Sequence, residues 1–328
     1  MKKLLELNQV IEKIKNGERL ILAGCESLLN QLPQGNWIAG TIPYFMDVDG
    51  GVFENNKIFV DQVPVEVKKI SIKSYDENTL KNFSQDKFDN GYSTIIIPAN
   101  SKCHQVFAQD SHSFEGVFNT PLIGWIAGIN LSDLGKAEPK VYDGSAQSVY
   151  KDKAVIMHLE LPENKHANID IINLFQQGDG ETITFDSTGF SASDCFINGE
   201  KQSFSKYLTD NKVDTKLPLV ANYCGAIVNT SFQSVDSENN VVNFYAPVFK
   251  GVEYKIAKPV EDYIKEFTSI ASSLDIEPAF TCNCILNYLY SELEGKKTGK
   301  LTGPITFGEI AYQLLNQTLV YLTIEDVY

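Results

Sequence analysis

Few residues of this chain have the type and spacing that catalysis or ligand binding needs, and Cys25 comes first among them. In "LILAGCESLL" a short apolar run meets a brief helix at Cys25. A thiol at such a turn lies near backbone N–H groups and the positive end of a helix, which lower its pKa and favour nucleophilic attack. The competing reading is an N-cap-like position before Glu26, since no partner base is identifiable. Cys282 and Cys284 form a C-x-C pair whose side chains diverge in a strand or helix, and no second pair stands at zinc-site spacing. Burial is expected for both. Of the four histidines, His104 and His112 would lie about 12 Å apart on one helix and share no metal. His158 falls in an alternating strand and His166 in a turn, so no metal site is expected, and one axial haem ligand is the remaining possibility.

Three local motifs fail on their details. Asp47 and Asp49 in "DVDGG" suggest a calcium loop, but EF-hand spacing would put Gly51, Val52 and Ile58 where a ligand, the turn glycine and the bidentate acid belong. "GKKTGKL" at 295–301 lacks one residue between the glycines, has Leu301 in place of Ser or Thr, and follows a helix rather than a strand. "FSASD" lacks the glycines that flank a nucleophile elbow.

The elements that would position these residues follow from composition and periodicity. A chain of 328 residues with 43% hydrophobic and 21% charged residues can bury two cores and belongs with folded globular proteins. A net charge of -14 argues against nucleic acid or an anionic membrane as partner, because phosphate needs clustered Lys and Arg. Glu6, Glu12 and Lys13 interrupt what would be a signal-peptide core, and no run suits a membrane helix. Six dispersed cysteines suggest a reduced cytoplasmic protein.

Leu4, Leu5, Leu7, Val10, Ile11 and Ile14 predict a first amphipathic helix, followed by a buried strand "RLILAG". Helices are expected at 76–87, 101–110, 202–210, 259–273 and 283–294. Strands fill "NWIAGTI", "KIFVDQV", "KKISIKS", "STIIIPA" and "PLIGWIAGI". The strands of 151–200 are close enough in sequence for antiparallel meanders. This predicts a layered α/β (α+β) sandwich of two similar halves, with mixed, largely antiparallel sheets flanked by helices, and domains at 1–214 and 215–328 meeting in "KVDTKLP".

One pattern recurs: "GNWIAGTIPYFM", "IGWIAGIN" and "FGEIAY". Gly40, Gly128 and Gly308 permit positive φ or the close approach of another backbone or a ligand. Trp37, Thr41, Tyr44, Trp125 and Tyr312 lie beside them and would wall a pocket or fill a core. The segment "CNCILNYLYSELEGKKTGKLTGPITFGEIAYQLLNQTLVYLTI", with "YCGAIVNTSF" and "FYAPVFKGVEYKIAKPVEDY" before it, resembles the FIST sensory domains. Phe307, Gly308, Glu309, Ile310, Asn316 and Thr318 carry the match, looser similarity runs back to about residue 218, and the expectation is a sensory part without an attached output domain. The resemblance implies cytoplasmic sensing of a small ligand, with amino acids proposed, and signalling in trans to a partner such as a histidine kinase. Some relatives bind haem and report nitric oxide. On this reading the ligand lies near the three glycines, with Glu309 receiving an ammonium and Asn316 supplying an amide contact. The alternatives are a haem gas sensor, a Cys25-dependent enzyme and a structural scaffold.

Overall fold

A computed structural model describes residues 2–223, 225–274 and 276–327. Cys224, within the FIST-like stretch, lies outside the described residues. Contacts divide the chain into a larger unit, Met1–Ile172 with Ile264–Gln313 and Leu319–Tyr328, and a smaller one, Asn173–Tyr263 with Leu314–Thr318. The chain is therefore not parted at 212–217 into consecutive pieces.

The larger unit uses one plan three times. An edge strand leads through a helical segment to a buried strand, and a short helix crosses over to a second strand parallel to it. The chain then adds one or two short strands to a different sheet before its last strand returns antiparallel beside the first buried one. In the first repeat these elements are β1 (Leu4–Leu5), α1 (Leu7–Lys15), β2 (Leu20–Gly24), α2 (Glu26–Leu29), β3 (Trp37–Thr41), β4 (Tyr44–Asp47), β5 (Gly50–Phe53) and β6 (Ile58–Gln62). In the second they are β7 (Lys69–Tyr75), a 3-10 turn at Leu80–Asp86, β8 (Gly91–Pro98), α3 (Lys102–Asp110), β9 (Leu122–Ala127), β10 (Val141–Asp143), β11 (Ser148–Tyr150) and β12 (Ala154–Glu160). The third begins with β13 (Lys165–Ile172).

The smaller unit follows β13 in sequence, as an insertion in the third repeat. It consists of β14 (Ile183–Thr184), β15 (Gly189–Ala192), β16 (Asp194–Ile197), β17 (Glu200–Ser203), α4 (Phe204–Asp210), β18 (Leu219–Tyr223), β19 (Ala226–Thr230), β20 (Phe232–Asp236), β21 (Val241–Val248) and β22 (Tyr254–Ile256). These form antiparallel sheets ordered β17-β16-β14-β22-β18-β19 and β15-β21-β20 around Phe185, Phe204, Phe232, Phe244 and Tyr254. The third repeat then continues with α5 (Tyr263–Ser273), β23 (Phe280–Cys284), α6 (Ile285–Tyr290), β24 (Gly303–Thr306), β25 (Glu309–Ala311), β26 (Gln313–Leu315) and β27 (Leu319–Asp326).

Three sheets result, and within the larger unit their strands run in the orders β1-β6-β2-β3-β10-β11, β7-β12-β8-β9-β25 and β13-β27-β23-β24-β4-β5. The exchange is cyclic: β10 and β11 of the second repeat complete the first sheet, β25 of the third completes the second, and β4 and β5 of the first complete the third. Each sheet is mixed, with one parallel pair (β2 with β3, β8 with β9, β23 with β24) among antiparallel neighbours. The expected mixed α/β architecture is thus present, but its repetition is threefold within the larger unit rather than a pairing of similar halves. The central strands are apolar throughout because both faces are covered, as in "LILAG" and "LIGWIA".

Two local expectations change for the same reason, that long-range pairing overrides nearest-neighbour logic. Leu4 and Leu5 pair with Phe59 and Ile58 as β1 instead of opening the helix. Adjacent β12 and β13 do not form a meander: β12 lies between β7 and β8, while β13 pairs with β27. Among the described residues no helix is long and apolar enough to cross a membrane.

Aromatic contacts hold the three sheets together. Trp125 of β9 stacks on Phe280 of β23 at 5.6 Å between centroids, and Phe45 of β4 stacks on Phe59 of β6 at 5.6 Å. A Cβ on Gly40 would stand 2.7 Å from Ile96 and 3.0 Å from the Trp125 indole nitrogen, and one on Gly128 would stand 2.4 Å from the Phe307 ring. These glycines serve close approach between repeats. Gly128→Ala should therefore cost about 1–3 kcal/mol of overpacking in urea denaturation, with Phe307→Leu in the same chain recovering part of it. An unchanged midpoint for Gly128→Ala would refute this packing account.

Candidate functional site

The recurring glycine segments meet. The Gly128 N–H donates to the Thr41 carbonyl at 2.8 Å, the Ile126 N–H to the Gly308 carbonyl at 2.8 Å, and the Phe307 N–H to the Ile126 carbonyl at 3.1 Å. Glu309 stands opposite Trp125 in the β25–β9 register. The ends of β3, β9 and β24 thus form one seam.

Beside it is a pocket of about 220 Å³, lined by Gly24, Cys25 and Glu26 after β2, Thr41, Ile42 and Pro43 after β3, Asn55 before β6, and Gly128, Asn130, Asp133 and Glu138 after β9. It opens at the C-terminal ends of β2 and β3, where the chain leaves a parallel pair and backbone groups are released from pairing; ligands of open α/β sheets bind at such edges. Acceptors dominate the lining. Glu26 is held by Lys140 at 2.5 Å and Glu138 by Lys151 at 3.1 Å. Half-buried Asp133 has no side-chain partner among the described residues, which leaves one carboxylate for a ligand donor.

Cys25 is at the N-cap of α2 but makes no side-chain cap. Its thiol donates to Asn55 Oδ1 at 2.7 Å, and burial, then the nearby Glu54 charge, push its pKa up to about 11. At pH 7 this leaves on the order of one thiol in ten thousand ionised. The shift is opposite in sign to what nucleophilic activation requires, because α2 is a single turn while desolvation acts on the whole group.

The other expected residues are dispersed. Trp37 packs on Tyr142 and donates from Nε1 to the Pro33 carbonyl at 2.9 Å, within the core against α1 and α2. Tyr44 borders the pocket indirectly: its hydroxyl donates to Asn130 Oδ1 at 3.3 Å and accepts from the Leu131 N–H at 3.2 Å. Trp125 is core, and its Nε1 has no hydrogen-bond partner among the described residues. Tyr312, at φ +63°, lies against Phe118. Glu309 is fully buried and does not line the pocket; its charge helps burial raise the Cys282 thiol. Asn316 belongs to the smaller unit, accepting from the Ser231 N–H on Oδ1 at 3.4 Å and from Asn229 Nδ2 on its carbonyl at 3.1 Å. Sequence reasoning missed Asn55, Asn130 and Asp133. Their signals were the turn "ENNK" and the short "NLSD" motif, in which Asn130 caps a 3-10 turn by accepting from the Ser132 N–H.

Cys282 and Cys284 are buried, as expected. His166 pairs with Glu325 at the surface, and His112 is exposed. His104 accepts from the Asn100 N–H on Nδ1 at 3.2 Å. His158 lies between Ser93 Oγ at 2.8 Å from Nδ1 and the Tyr75 hydroxyl at 3.1 Å from Nε2. Tyr75 in turn donates to Asp86 at 2.8 Å, so Nε2 carries the proton and Nδ1 accepts from Ser93. Among the described residues no group of three or more His, Cys, Asp or Glu side chains is arranged to hold a metal ion.

Iodoacetamide should label Cys25 slowly at pH 7.5, with a rate rising about tenfold per pH unit toward pH 11; a plateau reached near pH 8 would contradict the raised pKa. Burial lowers both His104 and His158 to about 4. Unfolded histidine protonates near 6.5, so their contribution is complete above that pH and is lost as pH falls from 6.5 to 4, up to about 3 kcal/mol for each. Urea midpoints should drop across this window and drop less in His158→Gln, whereas a flat profile would refute the assignment.

No curated protein matches this chain. A model for a family of unknown function (DUF6976) matches residues 5–325, nearly the whole length. The chain belongs to the DUF6976 family.

Proposed function

We propose that this protein binds a small polar metabolite in the pocket beside the glycine seam and serves as a cytoplasmic sensor that signals in trans. The observation that carries the reading is the pocket itself, formed where two repeats meet and furnished with the Asp133 carboxylate and the Asn55 and Asn130 amides. Its volume of about 220 Å³ is below the range for drug-sized ligands and suits a molecule of amino-acid size. Acceptor-rich walls favour a ligand that brings donors, an ammonium above all. The FIST resemblance supports the same class of ligand, with a histidine kinase as the kind of partner that would receive the signal. Glu309 and Asn316 have no ligand contact in this proposal. The sheltered, protonated Cys25 thiol favours binding over nucleophilic catalysis.

Thermal-shift screening against amino acids and small amines provides the test. A ligand at a hundred times its Kd adds about 2.7 kcal/mol and should raise Tm by several degrees. Asp133→Ala, a change in a surface loop, should abolish most of that shift. The proposal fails if no compound shifts Tm, or if the shift is the same in Asp133→Ala.

A further inference from the structure

A second cavity in the larger unit, about 790 Å³, shares no lining residue with the Cys25 pocket. It is a groove between β1, α1, the end of β6 and residues 277–279, with apolar walls that include Val60 and Ile324. Asp61 lines it from within β6, with only 5% of its side chain exposed. A carboxylate buried to that degree needs a cation and filled acceptor positions. Asp61 Oδ1 accepts from Lys3 Nζ at 2.5 Å, while Oδ2 has no hydrogen bond among the described residues. The same Lys3 ammonium sits 5.6 Å from the centre of the Phe59 ring. Carboxylate and aromatic face together make a seat for an alkylammonium. The chain's own Lys3, one residue before the two-residue strand β1, occupies it.

Charge around the groove extends this reading. Of its lysines, Lys2 faces Asp49 at 3.5 Å and Lys13 faces Glu18 at 2.9 Å, and Lys3 is taken by Asp61. Glu12, Glu66 and Glu277 are exposed and have no ion-pair partner among the described residues. Exposed free carboxylates separated by apolar wall from one buried carboxylate match ammonium groups separated by methylenes. We infer that the groove binds an aliphatic diamine or polyamine, one ammonium taking the Asp61–Phe59 seat in competition with Lys3 and another meeting the exposed carboxylates.

Calorimetric titration with putrescine and with n-butylamine, in 0.15 M salt to suppress diffuse attraction to the acidic surface, tests the inference. Lys3→Met removes the competing ammonium and should tighten putrescine binding tenfold or more over the unsubstituted protein, and Lys3→Met with Asp61→Asn should lose that gain. Should Lys3→Met fold poorly with Asp61 uncompensated, Glu66→Gln with Glu277→Gln in the otherwise unchanged chain replaces it, both residues being exposed. That variant should lose the preference for putrescine over n-butylamine. Binding that is equal in all variants, or no binding in any, would overturn the proposal.

Discussion

The larger unit depends on how closely its repeats can bring their strand ends together. Each repeat contributes strands to another repeat's sheet, so backbones must cross where β3, β9 and β24 end. Gly128 meets that requirement by donating to Thr41 with the Phe307 ring where a side chain would be, and Gly40 by leaving room for Ile96 and Trp125. Any larger residue at these points would push apart sheets whose interior is already filled by the Trp125–Phe280 and Phe45–Phe59 stacks. Tight packing transmits such strain rather than absorbing it.

The same convergence explains why one side of the seam is core and another is a pocket. On the third repeat's side, Phe307 fills the space against Gly128. On the first repeat's side, Thr41, Ile42 and Pro43 and the loop after β9 line a space beside Cys25 that they do not fill. Polar groups collect there because the parallel pair ends and the chain must satisfy its released backbone groups with side chains and turns. Asn130 illustrates this, capping a 3-10 turn while holding the Tyr44 hydroxyl.

Much of the local structure was legible from residue pattern. "LILAG", "STIIIPA" and "LIGWIA" announced strands, and the helix expected at 101–110 is present as α3, with Ser101 accepting from the His104 N–H at its start. The recurrence of "WIAG" marked a real structural equivalence, the second parallel strand of the first and second repeats. What could not be seen was which strand pairs with which: β10 and β3 lie about a hundred residues apart, and nothing local in "KVYDG" specifies Gly40 as the partner of Val141. The long insertion between β13 and β23 further disguised the third repeat. For the site, the glycines and Cys25 were visible because their types are unusual at strand ends, whereas Asn55 and Asp133 look like ordinary turn residues until the fold brings them together. Trp37 and Glu309 misled in the opposite direction, since neither type nor spacing shows which face of a doubly covered strand a side chain joins.

The central claim is that the glycine seam leaves a ligand-sized pocket beside Cys25, and a crystal structure of the full chain grown with a mixture of amino acids and small amines tests it most directly. The expected result is density for one small molecule in contact with Asp133 and bounded by Cys25, Thr41 and Gly128. A structure in which side chains close that space, or in which the pocket stays empty while a ligand binds elsewhere, would contradict the account.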